Sequence, residues 1–158
     1  AKRKCRVAMN HRTSALPGPE KHLTEAYWRL RLEELALACR TSEAAGQSDG
    51  VREAFDLLML TPPGPTARLR PRMAEAKIEA MLAADAYESA ALALLPQNAG
   101  FMLSQGPSGE HLATVILPES DQEMTAGGAT AALALVAALM AELVEVYPVA
   151  AKGSASVN

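Results

Sequence analysis

Positive charge all but disappears from this chain after residue 77. Fourteen of its fifteen Lys and Arg residues lie between Lys2 and Lys77, and only Lys152 follows. Asp and Glu divide evenly, nine to each side, so residues 1–77 carry a net +5 and residues 78–158 a net −8. Only the first half can therefore offer a run of cations to phosphates. The opposed halves point to partners: nucleic acid, a charged surface, or the other half of a neighbouring molecule.

Other absences narrow the function further. Aromatic residues make up 4% of the chain, and none is interleaved with the N-terminal basic residues, so base stacking is not supported. There are two cysteines, Cys5 and Cys39, with no CxxC or HxxxH pair that would build a zinc site. They read as free thiols of a reducing cytoplasm rather than as a disulfide. No glycine-rich phosphate loop is present. Val7-Ala8-Met9 is too short for the apolar core of a signal peptide. The uncharged run Met124 to Ala141 contains Thr125, Gly127, Gly128 and Thr130 and is flanked by Glu123 and Glu142. It fits a buried helix better than a membrane span. No membrane partner and no cofactor are expected.

Alanine is abundant, with 32 residues, and it is the best helix former. The alanine- and arginine-rich composition also suits a GC-rich bacterial genome. Apolar residues at 49% and charged residues at 21% are ordinary for a globular domain, and 158 residues suffice for one core.

Residues 1–18 read as a basic flexible arm ending in Leu16-Pro17-Gly18. Pro19 then opens a helix predicted from about Glu20 to Ala44. This helix carries two apolar stripes: Leu23, Tyr27, Leu30 and Leu37 on one side, and Trp28, Leu32, Leu35 and Cys39 nearly opposite. Two stripes indicate a helix held between layers, or one packed on its own core and on a partner. The second stripe is the candidate protein interface. A turn at Gln47–Gly50, with Ser48 or Asp49 as cap, precedes a short helix over 51–60 whose apolar face is Val51, Ala54, Phe55, Leu58 and Met59. The prolines of Thr61-Pro62-Pro63-Gly64-Pro65-Thr66 predict an extended linker over 61–69.

Pro71 is expected to open a helix from Arg72 to about Ala84. Asp85 and Glu88 have the capping-box spacing for another, to Leu95. Segments 101–104 and 112–117 flank a Gly- and Pro-rich tip and predict an antiparallel hairpin. Two strands alone are marginal in water, so the hairpin needs further pairing. Lys4–Met9 is one candidate edge strand, and the hairpin of another copy is a second. Ser120 and Glu123 again have capping-box spacing, predicting a last, mostly apolar helix to about Val146. Residues 148–158 have no core-forming pattern and read as a disordered tail.

The expected fold is therefore α+β and mainly helical: about five helices, one hairpin (101–117) and a central C-terminal helix. Two partitions are compatible with this pattern. Residues 19–147 form one domain, or the Pro-rich linker separates a helical hairpin (19–60) from an α-β-β-α unit (70–147).

No catalytic constellation emerges. His111 lies close to Ser108 and Glu110, but neighbours along a strand alternate faces. A pocket gathering His111, Glu110 and Ser104 would revive an enzymatic reading. Gly106-Pro107-Ser108-Gly109 is one residue short of a nucleophile elbow. His22 and Glu25 share a helix face without further metal ligands, and Glu119, Asp121 and Glu123 lack the spacing of a calcium loop. The expected function is thus a non-enzymatic cytoplasmic protein-binding module, either a homo-oligomer or a subunit of a larger assembly. Docking of the +5 half on the −8 half of a neighbour is one route to assembly. The first alternative is a nucleic-acid-associated regulator that contacts phosphates through Lys2, Arg3, Lys4, Arg6, Arg12, Arg68, Arg70 and Arg72, and the second is an enzyme without a recognisable short motif.

Overall fold

The computed structural model describes residues 23–148. These form an α+β fold, 55% helical, with five α-helices and a three-stranded antiparallel sheet among the described residues. The expected arm over 1–18, with its edge-strand candidate Lys4–Met9, and the tail beyond Pro148 lie outside them.

Helix α1, Glu25–Thr41, starts where Thr24 Oγ1 accepts a hydrogen bond from the Tyr27 amide, and Glu25 complements the positive end of the helix. It stops at Thr41, earlier than expected, because Ser42 and Glu43 are extended. A single 3-10 turn, Ala44–Gly46, leads straight into α2, Gln47–Met59. The expected turn at Gln47–Gly50 is therefore helical, and Ser48 and Asp49 lie inside the first turn instead of capping it. Packing explains this. Gly50 is buried, and a Cβ there would lie 3.1 Å from Cys39 Sγ and 3.3 Å from a Leu133 methyl. The missing side chain lets the helices approach closely, which outweighs glycine's poor helix propensity.

The Pro-rich segment is not a plain spacer. Thr61, Pro62, Thr66 and Leu69 are buried, and Thr66 Oγ1 donates to the Pro62 carbonyl at 2.7 Å. Residues Pro65–Leu69 wind into a 3-10 turn, with Pro65 at its first position. Helix α3 spans Glu75–Ala83, starting three residues later than Arg72, and α4 spans only Tyr87–Leu92. The capping box at Asp85 does not form. Asp85 adopts a left-handed backbone (φ 56°), and its carboxylate instead accepts a hydrogen bond from the Tyr87 hydroxyl at 2.6 Å.

Strands β1, Gly100–Gln105, and β2, His111–Ile116, pair antiparallel as expected. A third strand was not expected. Met124–Gly128, read as the start of the last helix, is β3 and pairs with β2. Thr130 then caps α5, Ala131–Val146, by accepting from the Leu133 amide at 3.2 Å. At the junction, a Cβ on Gly128 would lie 2.6 Å from the Ala134 nitrogen, so only glycine lets β3 end against the first turn of α5.

Helix α5 is the centre. It packs on β2 and β3 on one side and on α1, α2 and α4 elsewhere. Twelve of its sixteen residues are buried. Even Glu142 is only 1% exposed, and its carboxylate accepts from the Leu117 amide at 3.2 Å just past β2. One apolar core joins α1, α2, the Pro65–Leu69 turn, α3, α4, the sheet and α5. It runs across the Pro-rich segment without a break.

Candidate interaction surfaces

The two stripes of α1 have opposite fates. Trp28, Leu32, Leu35 and Cys39, the expected partner interface, are 2, 0, 2 and 2% exposed. They belong to the chain's own core, where α1 meets α2 and α5. The Trp28 indole N–H donates to the Leu57 carbonyl of α2 at 2.8 Å. Arg29 reaches from α1 to the Val144 carbonyl at the end of α5, also at 2.8 Å. This corrects the interface assignment: the surface is consumed within the fold. The opposite stripe is the exposed one, with Tyr27, Leu30 and Leu37 at 47, 47 and 62%.

Cys39 carries a buried free thiol. Burial first, and the nearby Glu53 carboxylate second, push it up to about 12, so at neutral pH it is an inert thiol and not a nucleophile.

The sheet offers a larger unpartnered surface. Directly paired residues share a face, so Phe101, Leu103, Ala113, Val115, Met124 and Ala126 look towards α5. Helix α5 covers β2 and β3 but barely reaches β1. Ala113, Val115 and Ala126 are buried, whereas Phe101 stays 51% exposed on the same face. The other face carries Met102, Leu112, Ile116, Thr114 and Thr125, with no charged residue on any of its three strands. Met102 is 61% exposed. Along the free side of β1, no backbone group hydrogen-bonds to another described segment. The signal for this surface was present in the sequence: GFMLSQ is apolar on both faces and has no charge and no proline.

Arg68, Arg70 and Arg72 line one cavity of about 440 Å³, together with Gln97, Asn98 and Glu119. Of the expected nucleic-acid contacts, these three lie within the described residues; Lys2, Arg3, Lys4, Arg6 and Arg12 lie outside. A more apolar cavity of about 520 Å³ adjoins it at Pro71 and Arg72, lined by Phe55, Met59, Leu60 and Met73. Asp56 on its rim has its carboxyl raised above the ordinary range, by burial first and then by Glu75, Glu53 and Glu79.

The groups that would revive an enzymatic reading do not converge. Ser104 pairs with Leu112 on one face of the sheet, while His111 pairs with Gln105 and Gly128 on the other. Glu110, at the hairpin tip, accepts from the Ser108 hydroxyl, which holds its carboxyl below the usual range. No group of metal-ligating side chains occurs among the described residues, and none of their helices is long and apolar enough to cross a membrane.

Compared with known protein families, curated proteins and solved structures, the chain matches none.

Proposed function

We propose that the protein is a non-enzymatic binding module and that its first partner is a second copy of itself, joined edge to edge through β1. The observation that supports this is the state of that edge. Proteins commonly blunt free edges with lysine, proline, a bulge or a covering element. β1 has neither lysine nor proline, and its backbone edge meets no described segment. Self-pairing about a two-fold axis sets each residue against the same short list of side chains. An uncharged strand meets no like-charge repulsion there. Pairing would extend the three-stranded sheet to a continuous six-stranded one and cover Phe101 and Met102. Strand addition draws affinity from the backbone and specificity from alternate side chains.

The second half's −8 charge is a weaker basis for assembly than the sequence implied. Arg52 is paired with Glu79 at 2.7 Å and Arg68 with Glu119 at 2.9 Å, so charges of the two halves already meet within one chain.

Light scattering of the full chain at about 50 mM and about 500 mM salt tests the proposal, because the two conditions bracket weak and strong screening. The expected mass is twice 16.7 kDa at both salts. Met102→Lys and Phe101→Lys place a charge on exposed edge positions and should give the single-chain mass, with melting unchanged when compared at a concentration too low for pairing. Leu30→Gln on α1 should leave the dimer intact. A monomer at both salts overturns the proposal. So does a variant lacking residues 1–22 that pairs where the full chain does not, since the chain's own segment then occupies the edge.

A further inference from the structure

Three arginines at alternate positions converge on one cavity, and the fold itself produces the convergence. Leu69, between Arg68 and Arg70, is 2% exposed and anchors the segment in the core. Pro71 fixes the backbone between Arg70 and Arg72. The three exposed side chains thus line the same 440 Å³ space as Gln97 and Asn98, from the turn that follows α4. Asn98 is held in the left-handed backbone region at φ 69°.

Cations gather there in one concave space. Elsewhere Arg29 is paired with Glu33, Arg31 with Glu34 and Glu53, and Arg52 with Asp49 and Glu79, while Arg40 and Lys77 form no ion pair among the described residues but line no shared cavity with other cations. In the cavity, among the described residues, only Arg68 has a carboxylate partner, Glu119, and it also donates to the Tyr147 hydroxyl at 3.0 Å. Arg70 reaches only the Thr61 hydroxyl, at a long 3.4 Å, and Arg72 forms no ion pair among the described residues. Among the described residues, three guanidinium groups against one carboxylate leave a concave site with two cations that lack an ion pair and two amide side chains able to donate.

We propose that this cavity binds a small phosphorylated molecule, its phosphate held by Arg70 and Arg72 with Gln97 and Asn98 as further donors. Guanidinium matches phosphate oxygens in pairs and gives charge-assisted bonds stronger than neutral ones. A small ligand fits better than a nucleic-acid backbone because the basic surface formed by the described residues ends quickly. The next depression shares Glu119 and adds the exposed Asp121 and Glu145, which repel a continuing polyanion. The site is separate from β1 and stands without the pairing proposed above.

Calorimetric titration of the full chain with pyrophosphate, inorganic phosphate and a short duplex DNA, at about 50 mM salt, tests this. Saturable binding of pyrophosphate to one site is expected, with phosphate weaker. Arg70→Ala and Arg72→Ala should each weaken it about tenfold, the scale of a lost bond to a charged group. Arg72→Lys, which keeps the charge and loses the fork, should fall between. Arg40→Ala, an exposed cation on α1 with no ion pair among the described residues, should change nothing. Unaltered melting shows that the exposed positions do not affect folding. No heat from pyrophosphate at about 10 mM overturns the proposal, since weaker binding lies outside any useful affinity. Equal loss in Arg40→Ala overturns it in favour of diffuse attraction. Duplex binding tighter than pyrophosphate and lost in the same variants overturns it in favour of nucleic acid.

Discussion

Helix α5 and strand β1 are both apolar and nearly uncharged, yet one is the most buried element of the fold and the other has no buried residue. Position in the fold separates them. Ala134, Ala137 and Ala138 let α5 lie against helices and sheet on several sides at once, each 0% exposed. Strand β1 carries large side chains at the margin, where α5 no longer reaches. Within one chain, the same hydrophobicity serves cohesion in one place and stays available in another. Large exposed apolar groups in a contiguous area are the usual mark of a binding surface.

The sharpest way to break this comparison is to truncate one large side chain in each element. Leu139, 1% exposed on α5, is expected to lose about 3 kcal/mol on mutation to Ala, the scale for a core cavity that relaxes incompletely. Met102→Ala on β1 is expected to stay within about 0.5 kcal/mol in the isolated chain, as for a surface change. Urea unfolding at a concentration too low for self-association measures both. Comparable losses would mean that β1 is already covered within the chain.

Much of the framework was legible in the sequence because local periodicity agreed with the final packing. The face Val51, Ala54, Phe55 and Leu58 of α2 is buried, although Met59 at its end is 41% exposed. The hairpin pairs over 100–105 and 111–116, and α5 ends at Val146. Strand β3 was hidden because Met124-Thr-Ala-Gly-Gly128 has little β propensity; its pairing with β2 is decided by tertiary contact. The two stripes of α1 have similar apolarity, so periodicity had no means of choosing which one α2 and α5 would cover. The alternating arginines were visible, whereas Gln97 and Asn98 carried no signal, since only the fold brings the turn after α4 to residues 68–72.

Cys39 measures how dry the junction between α1, α2 and α5 is. Its thiol is pushed from 9.0 to about 12, so the folded state keeps a proton that the unfolded state releases. Its contribution is complete below pH 9 and is lost as pH rises towards 12. At pH about 10.5 the loss amounts to about 2 kcal/mol. Chemical denaturation across this range should show the decline, and Cys39→Ala should flatten it. In a Cys5→Ser background, the native chain should react with a thiol reagent at neutral pH only as fast as it opens. Rapid labelling would place water at the junction and weaken the contrast with β1.

The smallest expected effect lies on the exposed stripe of α1, which tests whether exposure alone makes an interface. Leu37 is 62% exposed and Leu30 47%, figures close to those of Met102 and Phe101. Yet this stripe is interrupted by Glu34, which pairs with Arg31 at 3.3 Å, and an α-helix has no free backbone edge along its length. Strand β1 combines apolar side chains and no charge with a backbone edge that pairs with no other described segment. Leu37→Gln is therefore expected to shift stability by no more than about 0.5 kcal/mol and to leave the chain's mass in solution unchanged. A change in mass with Leu37→Gln but not with Met102→Lys would move the interface from the sheet edge to the helix, and exposed apolar area would then outweigh the open backbone.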